Sequence, residues 1–159
     1  MNKKTKILET GGCGFIGSNF VLKSLENNYS VLNIDKLTYS GNLNNLKNIS
    51  KDKDYFFING DICDINLLSK TISEYQPNYI VHFAAESHVD RSIDSPMPFI
   101  ETNIVGTAKL LDVATSHWKN SEIKNFKFIH VSTDEVFGSL GTVGFFSEST
   151  PYDPSSPYS

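Results

Sequence analysis

The sequence predicts an α/β chain, a doubly wound parallel sheet with its strands in the order 3-2-1-4-5. Three observations predict it. Strand-like and helix-like patterns alternate from the start of the chain to about residue 131. A glycine-rich turn, Thr10-Gly11-Gly12-Cys13-Gly14-Phe15-Ile16-Gly17, joins the first strand to the first helix. The stretch Tyr79-Ile80-Val81-His82-Phe83 is a nearly continuous apolar run, of the kind buried on both faces of a sheet. Repeated βα units require parallel strands, right-handed crossovers and helices on both faces.

Each element follows in order. Strand one is expected at 5–10 and the first helix at 15–28, carrying Phe15, Ile16, Phe20, Val21 and Leu25. Strand two is 30–35. A polar stretch at 36–53 holds a short helical pattern, Leu43, Leu46 and Ile49. Strand three is 55–58. Asp64 is placed to cap a helix that sends Ile65, Leu68 and Ile72 toward a core, with Pro77 past its end. Strand four is 79–83, followed by a loop with Pro96 and Pro98. A long helix at about 99–118 is expected to turn Ile100, Ile104, Leu111 and Ala114 inward. Strand five is 126–131, and a Gly-, Ser- and Pro-rich segment runs from Gly138 onward.

The glycine turn carries the first chemical signal. In a dinucleotide site, Gly11 permits the tight turn, Gly14 admits a pyrophosphate to the backbone, and Gly17 lets helix and strand pack closely. The N–H groups at the helix start attract phosphates. Strand two ends in Asp35, 18 residues after Gly17, near the spacing at which an acidic side chain meets the adenosine ribose. That residue points to NAD. Ligands of such sheets bind beyond the carboxyl ends of the strands, where the strand order reverses. The glycine turn, Asp35, Asp61 and the segments after Phe83 and Val131 all belong to that edge.

Composition narrows the classes. The chain has 159 residues, 39% of them hydrophobic, and a net charge of −4, enough for one core and giving no basic surface for nucleic acid. Cys13 and Cys63 have no metal-ligand spacing, so no metal is expected, and they fit a reducing compartment. The basic start, Met1 to Lys4, precedes no long apolar run, because Glu9 and the glycines interrupt it. No membrane span is expected, and the protein is read as cytoplasmic.

The ends of strands four and five hold further candidates. After strand four, small Ala84 and Ala85 suit a flat ligand, Ser87 suits a substrate hydroxyl, and His88 is either a general base or structural. Asp90 and Arg91 read as a local ion pair or cap. After strand five, Thr133-Asp134-Glu135 is either a helix N-cap with acidic first-turn residues or an acid–base pair. The pair reading requires the chain to leave strand geometry there, since adjacent strand side chains point to opposite faces. Tyr158 is either ordinary or a base whose pKa must fall.

Taken together, Thr10 to Gly17, Asp35 to Tyr39, Asp61-Ile62, Ala84 to Ile93, Glu101 to Asn103, Ser132 to Gly138 and Pro154 to Ser159 closely resemble the dTDP-glucose 4,6-dehydratases. These enzymes form a branch of the extended short-chain dehydrogenase/reductase family with a Rossmann-type cofactor domain. The resemblance covers essentially the whole chain. It implies bound NAD contacted by Gly11, Gly14, Phe15, Ile16, Gly17, Asp35, Lys36, Leu37, Thr38, Asp61, Ile62, Phe83, Ala84, Ala85, Glu86, Ser87 and Thr102. It implies a nucleotide sugar, dTDP-glucose, contacted by Ser87 and Thr133. Tyr158 would be the base for oxidation at sugar C4, with Thr133 holding the hydroxyl. Glu135 would take the C5 proton, and Asp134 would protonate the leaving C6 hydroxyl.

The family pattern continues as Tyr-x-x-x-Lys, and that lysine would fall past Ser159. The expectation is therefore an NAD-binding domain over 1–159, incomplete at its C-terminus. It would lack the remaining strands and substrate lobe, leave strand five as an open edge, and be inactive alone. The full-length form is expected to be a homodimer. Two alternatives stand beside this: another nucleotide-sugar epimerase or dehydratase, and a non-catalytic NAD-binding remnant. Glu9, where the family has an apolar residue, must find a partner or stay protonated. Cys13 is expected to crowd the turn slightly.

Overall fold

The computed structural model describes residues 4–159; the basic start Met1–Lys3 lies outside them. Five parallel strands form one sheet in the order β3-β2-β1-β4-β5. They are β1 (Lys6–Thr10), β2 (Ser30–Asp35), β3 (Tyr55–Asn59), β4 (Tyr79–His82) and β5 (Lys127–His130). Registers such as Thr10 beside Ile34 and beside His82 align the strand ends at one edge. The order reverses between β1 and β4, as the alternating pattern predicts.

Helices cover both faces. Helix α1 (Phe15–Glu26) and a 3-10 turn (Leu43–Ile49) lie on one, closing a core of Cys13, Val21, Val31, Leu46 and Tyr55. On the other face Leu8, Leu32, Ile34 and Ile80 meet Leu68 and Ile72 of helix α2 (Ile65–Tyr75). Asp64 caps α2, accepting from the N–H groups of Asn66 and Leu67, each at 3.0 Å.

Between β4 and the long helix the chain forms a helix absent from the sequence reading, α3 (Val89–Asp94). Its N-cap is His88, which accepts from Arg91 N–H at 3.5 Å. Arg91 does not pair with Asp90; its guanidinium lies over the Tyr39 ring, 4.7 Å from the centroid.

The long helix also differs from its expected form. It begins as α4 (Met97–Phe99), widens into a π-helical stretch at Ile100–Gly106, and continues as α5 (Thr107–Asn120). A π turn holds more residues than an α turn, so it shifts which positions face inward. Ile100 and Ile104 are consequently exposed, and Leu111, in regular α geometry within α5, is exposed at the margin of the face formed by Leu110, Val113 and Ala114. Of the expected inward set only Ala114 is buried, beside Leu110 and Val113.

Core truncation should follow this division. Leu68→Ala, at a site with no exposure, is expected to cost about 3 kcal/mol in urea unfolding. Ile104→Ala, at 61% exposure, should change stability by less than about 0.5 kcal/mol. Equal losses would contradict the shifted register.

Candidate active site

The glycine turn is shaped by how closely backbones approach. Gly11 has φ +80°, and a Cβ there would lie 2.6 Å from the amide nitrogen of Ala84. No side chain fits between the β1 turn and the segment leaving β4. At Gly17 a Cβ would meet the carbonyl oxygen of Gly11 at 2.4 Å, so the helix start sits directly against the turn. The Gly14 position is different: a Cβ there would touch only Gly11 O, at 3.4 Å, and otherwise face open space.

Asp35 ties this turn to the end of β2. Its Oδ2 accepts from Cys13 N–H at 2.8 Å and its Oδ1 from Leu37 N–H at 2.7 Å. Asn33 adds a second tie, accepting from Gly12 N–H at 3.0 Å. Leu37 adopts φ +57°, and the Asp35 bond holds it there.

Around this turn lies a cleft of ≈ 370 Å³ at the carboxyl edge of the sheet. Gly11, Gly14, Phe15, Ile16, Gly17, Asp35, Lys36, Thr38, Asp61, Ile62, Phe83 to Ser87, Thr102 and Tyr158 line it. Phe15 and Ile16 are exposed at its lip, outside the core that their helical spacing suggests. Lys36 and Asp61 form an ion pair of 2.6 Å across one wall. Burial pushes the Asp61 carboxyl up, but Lys36 and the Cys63 N–H outweigh it and hold it below its ordinary range. The hydrogen bond to Asp61 raises the Lys36 pKa in turn.

Four sequence-derived candidates fall outside the lining. Leu37 packs against the α1-side core, as its left-handed backbone directs it there. Thr133, Asp134 and Glu135 follow β5, and Thr133 caps a 3-10 turn (Asp134–Phe137), accepting from Glu135 N–H at 3.2 Å. The chain does leave strand geometry here, with Asp134 exposed and Glu135 half-buried. Cys13 does not crowd the turn: its side chain is fully buried in the α1-side core. Burial, with the Asp35 charge, pushes its thiol up to about 11.

Other lining residues escaped the sequence reading, Ile34, Ser40, Gly41, Gly60 and Val131, while Ser132 opens the segment after Val131 that the sequence places at this edge. Gly60 and Val131 directly follow strand ends, so the edge rule itself could have found them. Tyr158 is held by a contact no local pattern signals. Its N–H donates to Ser92 Oγ at 3.2 Å, and Ser92 is buried in α3. The π stretch also contributes a clamp, as Asn103 accepts from Glu86 N–H and donates to Glu86 O, both at 2.8 Å.

Beneath the turn lies Glu9, fully buried, and among the described residues neither carboxyl oxygen has a hydrogen-bond partner. Burial, reinforced by the negative charge of Asp35, raises its pKa to about 9. The side chain is therefore a neutral carboxylic acid at pH 7.

The residues bear on a dinucleotide as follows. The open face at Gly14, the N–H groups at the start of α1 and the flat Ala84–Ala85 wall fit a pyrophosphate flanked by two planar rings. Comparisons with known proteins point the same way. The model of the GDP-mannose 4,6 dehydratase family matches residues 8–159. The dTDP-glucose 4,6-dehydratase of Xanthomonas campestris pv. campestris (strain B100) is 51% identical over 155 residues, covering 96% of this chain and 44% of the relative. That of Salmonella typhimurium (strain LT2) is 50% identical, covering 97% and 46%.

Among solved structures, a dTDP-glucose 4,6-dehydratase from Streptomyces venezuelae with NAD and TYD bound superposes with a TM-score of 0.86. It is 44% identical and covers 97% of this chain and 47% of that one. A UDP-glucose 4-epimerase from Thermotoga maritima with UDP-glucose gives a TM-score of 0.82 at 34% identity, covering 97% and 46%. The chain thus spans less than half the length of these relatives.

Glu9 sets the pH dependence of stability. Its folded pKa lies above the unfolded value of 4.5, so the unfolded state binds fewer protons between 4.5 and about 9. Stability then falls as pH rises, by about 1.4 kcal/mol per pH unit from this group. Burial and His130 lower the pKa of His82 to about 4, which gives the opposite slope below 6.5. The fall should therefore show between pH 7 and 9. Glu9→Gln is expected to flatten that window in chemical denaturation, and an unchanged slope would show that Glu9 does not hold its proton.

Proposed function

The chain belongs to the GDP-mannose 4,6 dehydratase family, and from that membership we propose that its cleft binds NAD and serves the dehydration of a nucleotide-linked hexose, dTDP-glucose. The observation that carries the reading is convergence. The glycine turn, Asp35, Asp61, the Phe83–Ser87 segment and Tyr158 meet in one cleft at the switch point of the sheet. Residues 1–159 act as the cofactor-binding domain in this reading.

The N–H groups of Phe15 and Ile16 at the start of α1 receive the pyrophosphate, since those of Gly12 and Cys13 are committed to Asn33 and Asp35, and Asp35 receives the ribose hydroxyls on lone pairs left free by its two backbone bonds. Phe15 and Ile16 cover one ring from the lip of the cleft. The cleft residues would hold NAD, which would supply a hydride acceptor for sugar C4 and a hydride donor for C6. Tyr158 takes the proton of the C4 hydroxyl, and Thr133 and Ser87 hydrogen-bond the sugar. The C4 ketone acidifies C5, so Glu135 can remove the C5 proton while Asp134 protonates the departing C6 hydroxyl. The cap at Thr133 supports this division of labour, because it turns both carboxylates out of strand alternation. We further read the longer protein as a cytoplasmic homodimer.

The 4-epimerases share the fold almost as well, so fold alone does not select the reaction. The higher identity to dehydratases and the Asp134-Glu135 pair favour elimination.

Two measurements check this. Wild-type chain is expected to enhance NADH fluorescence on binding. Gly14→Leu, which fills open space without touching the core, should weaken binding at least about tenfold at unchanged melting temperature. A chimaera joining residues 1–159 to the C-terminal part of a curated dehydratase should convert dTDP-glucose to a 4-keto-6-deoxy sugar. Glu135→Gln in that chimaera should slow product formation by about a hundredfold or more. Epimerised sugar as the product would reject the dehydratase assignment.

A further inference from the structure

His82 closes β4 with its imidazole fully enclosed, at 1% exposure. Both ring nitrogens are engaged. Nδ1 lies 2.6 Å from Thr10 Oγ1 at the end of β1, and Nε2 lies 2.9 Å from Thr107 Oγ1 at the start of α5. Thr10 Oγ1 also accepts from the N–H of Ala84, at 3.4 Å. Ala84 is the residue whose backbone nitrogen a Cβ on Gly11 would meet first, at 2.6 Å.

The proton positions follow from burial. The Ala84 amide can only donate, so Thr10 Oγ1 is its acceptor. Thr10 has no exposure, so its own hydroxyl hydrogen must find a protein acceptor, and His82 Nδ1 is within reach. Nδ1 is then bare, and Nε2–H donates to Thr107. Thr107 is only partly buried, so its hydroxyl hydrogen can reach water. The opposite tautomer would leave the enclosed Thr10 hydrogen without a partner, which costs more.

We propose that His82 is a positioning residue for the cleft, tying the start of α5 to the end of β1 and, through Thr10, holding the Ala84 backbone against the glycine turn. The tie crosses three elements that sequence separates widely: β1, β4 and α5. It fixes the height of one cleft wall over the turn. It also anchors the helix whose preceding π stretch brings Thr102 into the cleft. Burial and the neighbouring His130, 5.1 Å away between ring centroids, keep the ring neutral, with a pKa near 4. The tautomer therefore persists at ordinary pH. The consequence for ligand binding rests on the reading of this cleft as a dinucleotide site.

The test uses the full 159-residue chain. Nitrogen-15 shifts of the imidazole are expected to report the neutral Nε2–H tautomer, and an Nδ1–H signature would overturn the proposal. Thr107→Val removes one end of the tie at a partly exposed site. It should speed hydrogen exchange of the Ala84 amide about fivefold and weaken NADH binding by a similar factor, the worth of one hydrogen bond. Thr107→Ser, which keeps the hydroxyl, should restore both. Wild-type exchange and binding in Thr107→Val would overturn the proposal. If wild-type protein itself fails to bind NADH, the cofactor reading fails. Faster Ala84 exchange in Thr107→Val, with rescue by serine, would still support the positioning role, and unchanged exchange would still refute it.

Discussion

Everything at the candidate site depends on the contact between two backbones, the turn at Gly11 and the segment at Ala84. A Cβ on Gly11 would come within 2.6 Å of the Ala84 nitrogen. β1 and β4 are the neighbours between which the strand order reverses. Helices leaving them turn to opposite faces, and the gap that opens at their carboxyl ends is the cleft. The contact sets its floor. Asp35 then fixes the turn from the β2 side, and the Thr10–His82 bond fixes the wall from the β4 side. A rigid floor matters because backbone N–H groups recognise a phosphate only when they are already aimed at it.

Polar groups buried under this floor stabilise it unequally. Asn33, Tyr55 and the turn form a bonded set: Asn33 donates to the Tyr55 hydroxyl at 3.2 Å and accepts from Gly12. Thr10, His82 and Thr107 form another. Glu9 belongs to neither. It sits between β1 and α1, with Gly17 so close that a Cβ would be 3.0 Å from its Oε1. An unpaired buried acid costs free energy, and its cost grows as pH rises from 4.5 toward about 9, where the unfolded chain has ionised and the folded chain still holds the proton. The rest of the β1 face is apolar, so the fold carries the residue through the packing of its neighbours.

Much of this was legible in sequence. Alternating patterns gave the strand order, and the glycine spacing with Asp35 located the cleft. Those signals are local: a turn, a strand end and a capping Asp64 each depend on a few adjacent residues. What stayed hidden depends on distant partners. Nothing adjacent to Ser92 marks it as the anchor of Tyr158, 66 positions away. Helix α3 hid behind the flanking prolines at 96 and 98. The inward face of the long helix was misassigned because apolar spacing assumes α geometry, and the π stretch at Ile100–Gly106 breaks that assumption. Leu37 was expected in the cleft, yet its positive φ turns it toward the core. Of the four expected catalytic residues only Tyr158 lines the cleft, while Thr133, Asp134 and Glu135 sit on the capped turn that follows β5.

A dinucleotide lying along the carboxyl edge of the sheet would touch the turn, the β2 end and the segment after β4 at once. The most direct test of that placement is an amide chemical-shift map of the chain titrated with NAD. The largest shifts are predicted at Gly11–Gly17, Asp35–Thr38, Asp61 and Phe83–Ser87, converging on one bound geometry. Shifts gathered at the opposite edge, around Lys6, Asn78 and Ser121, or no saturable shifts at all, would contradict it.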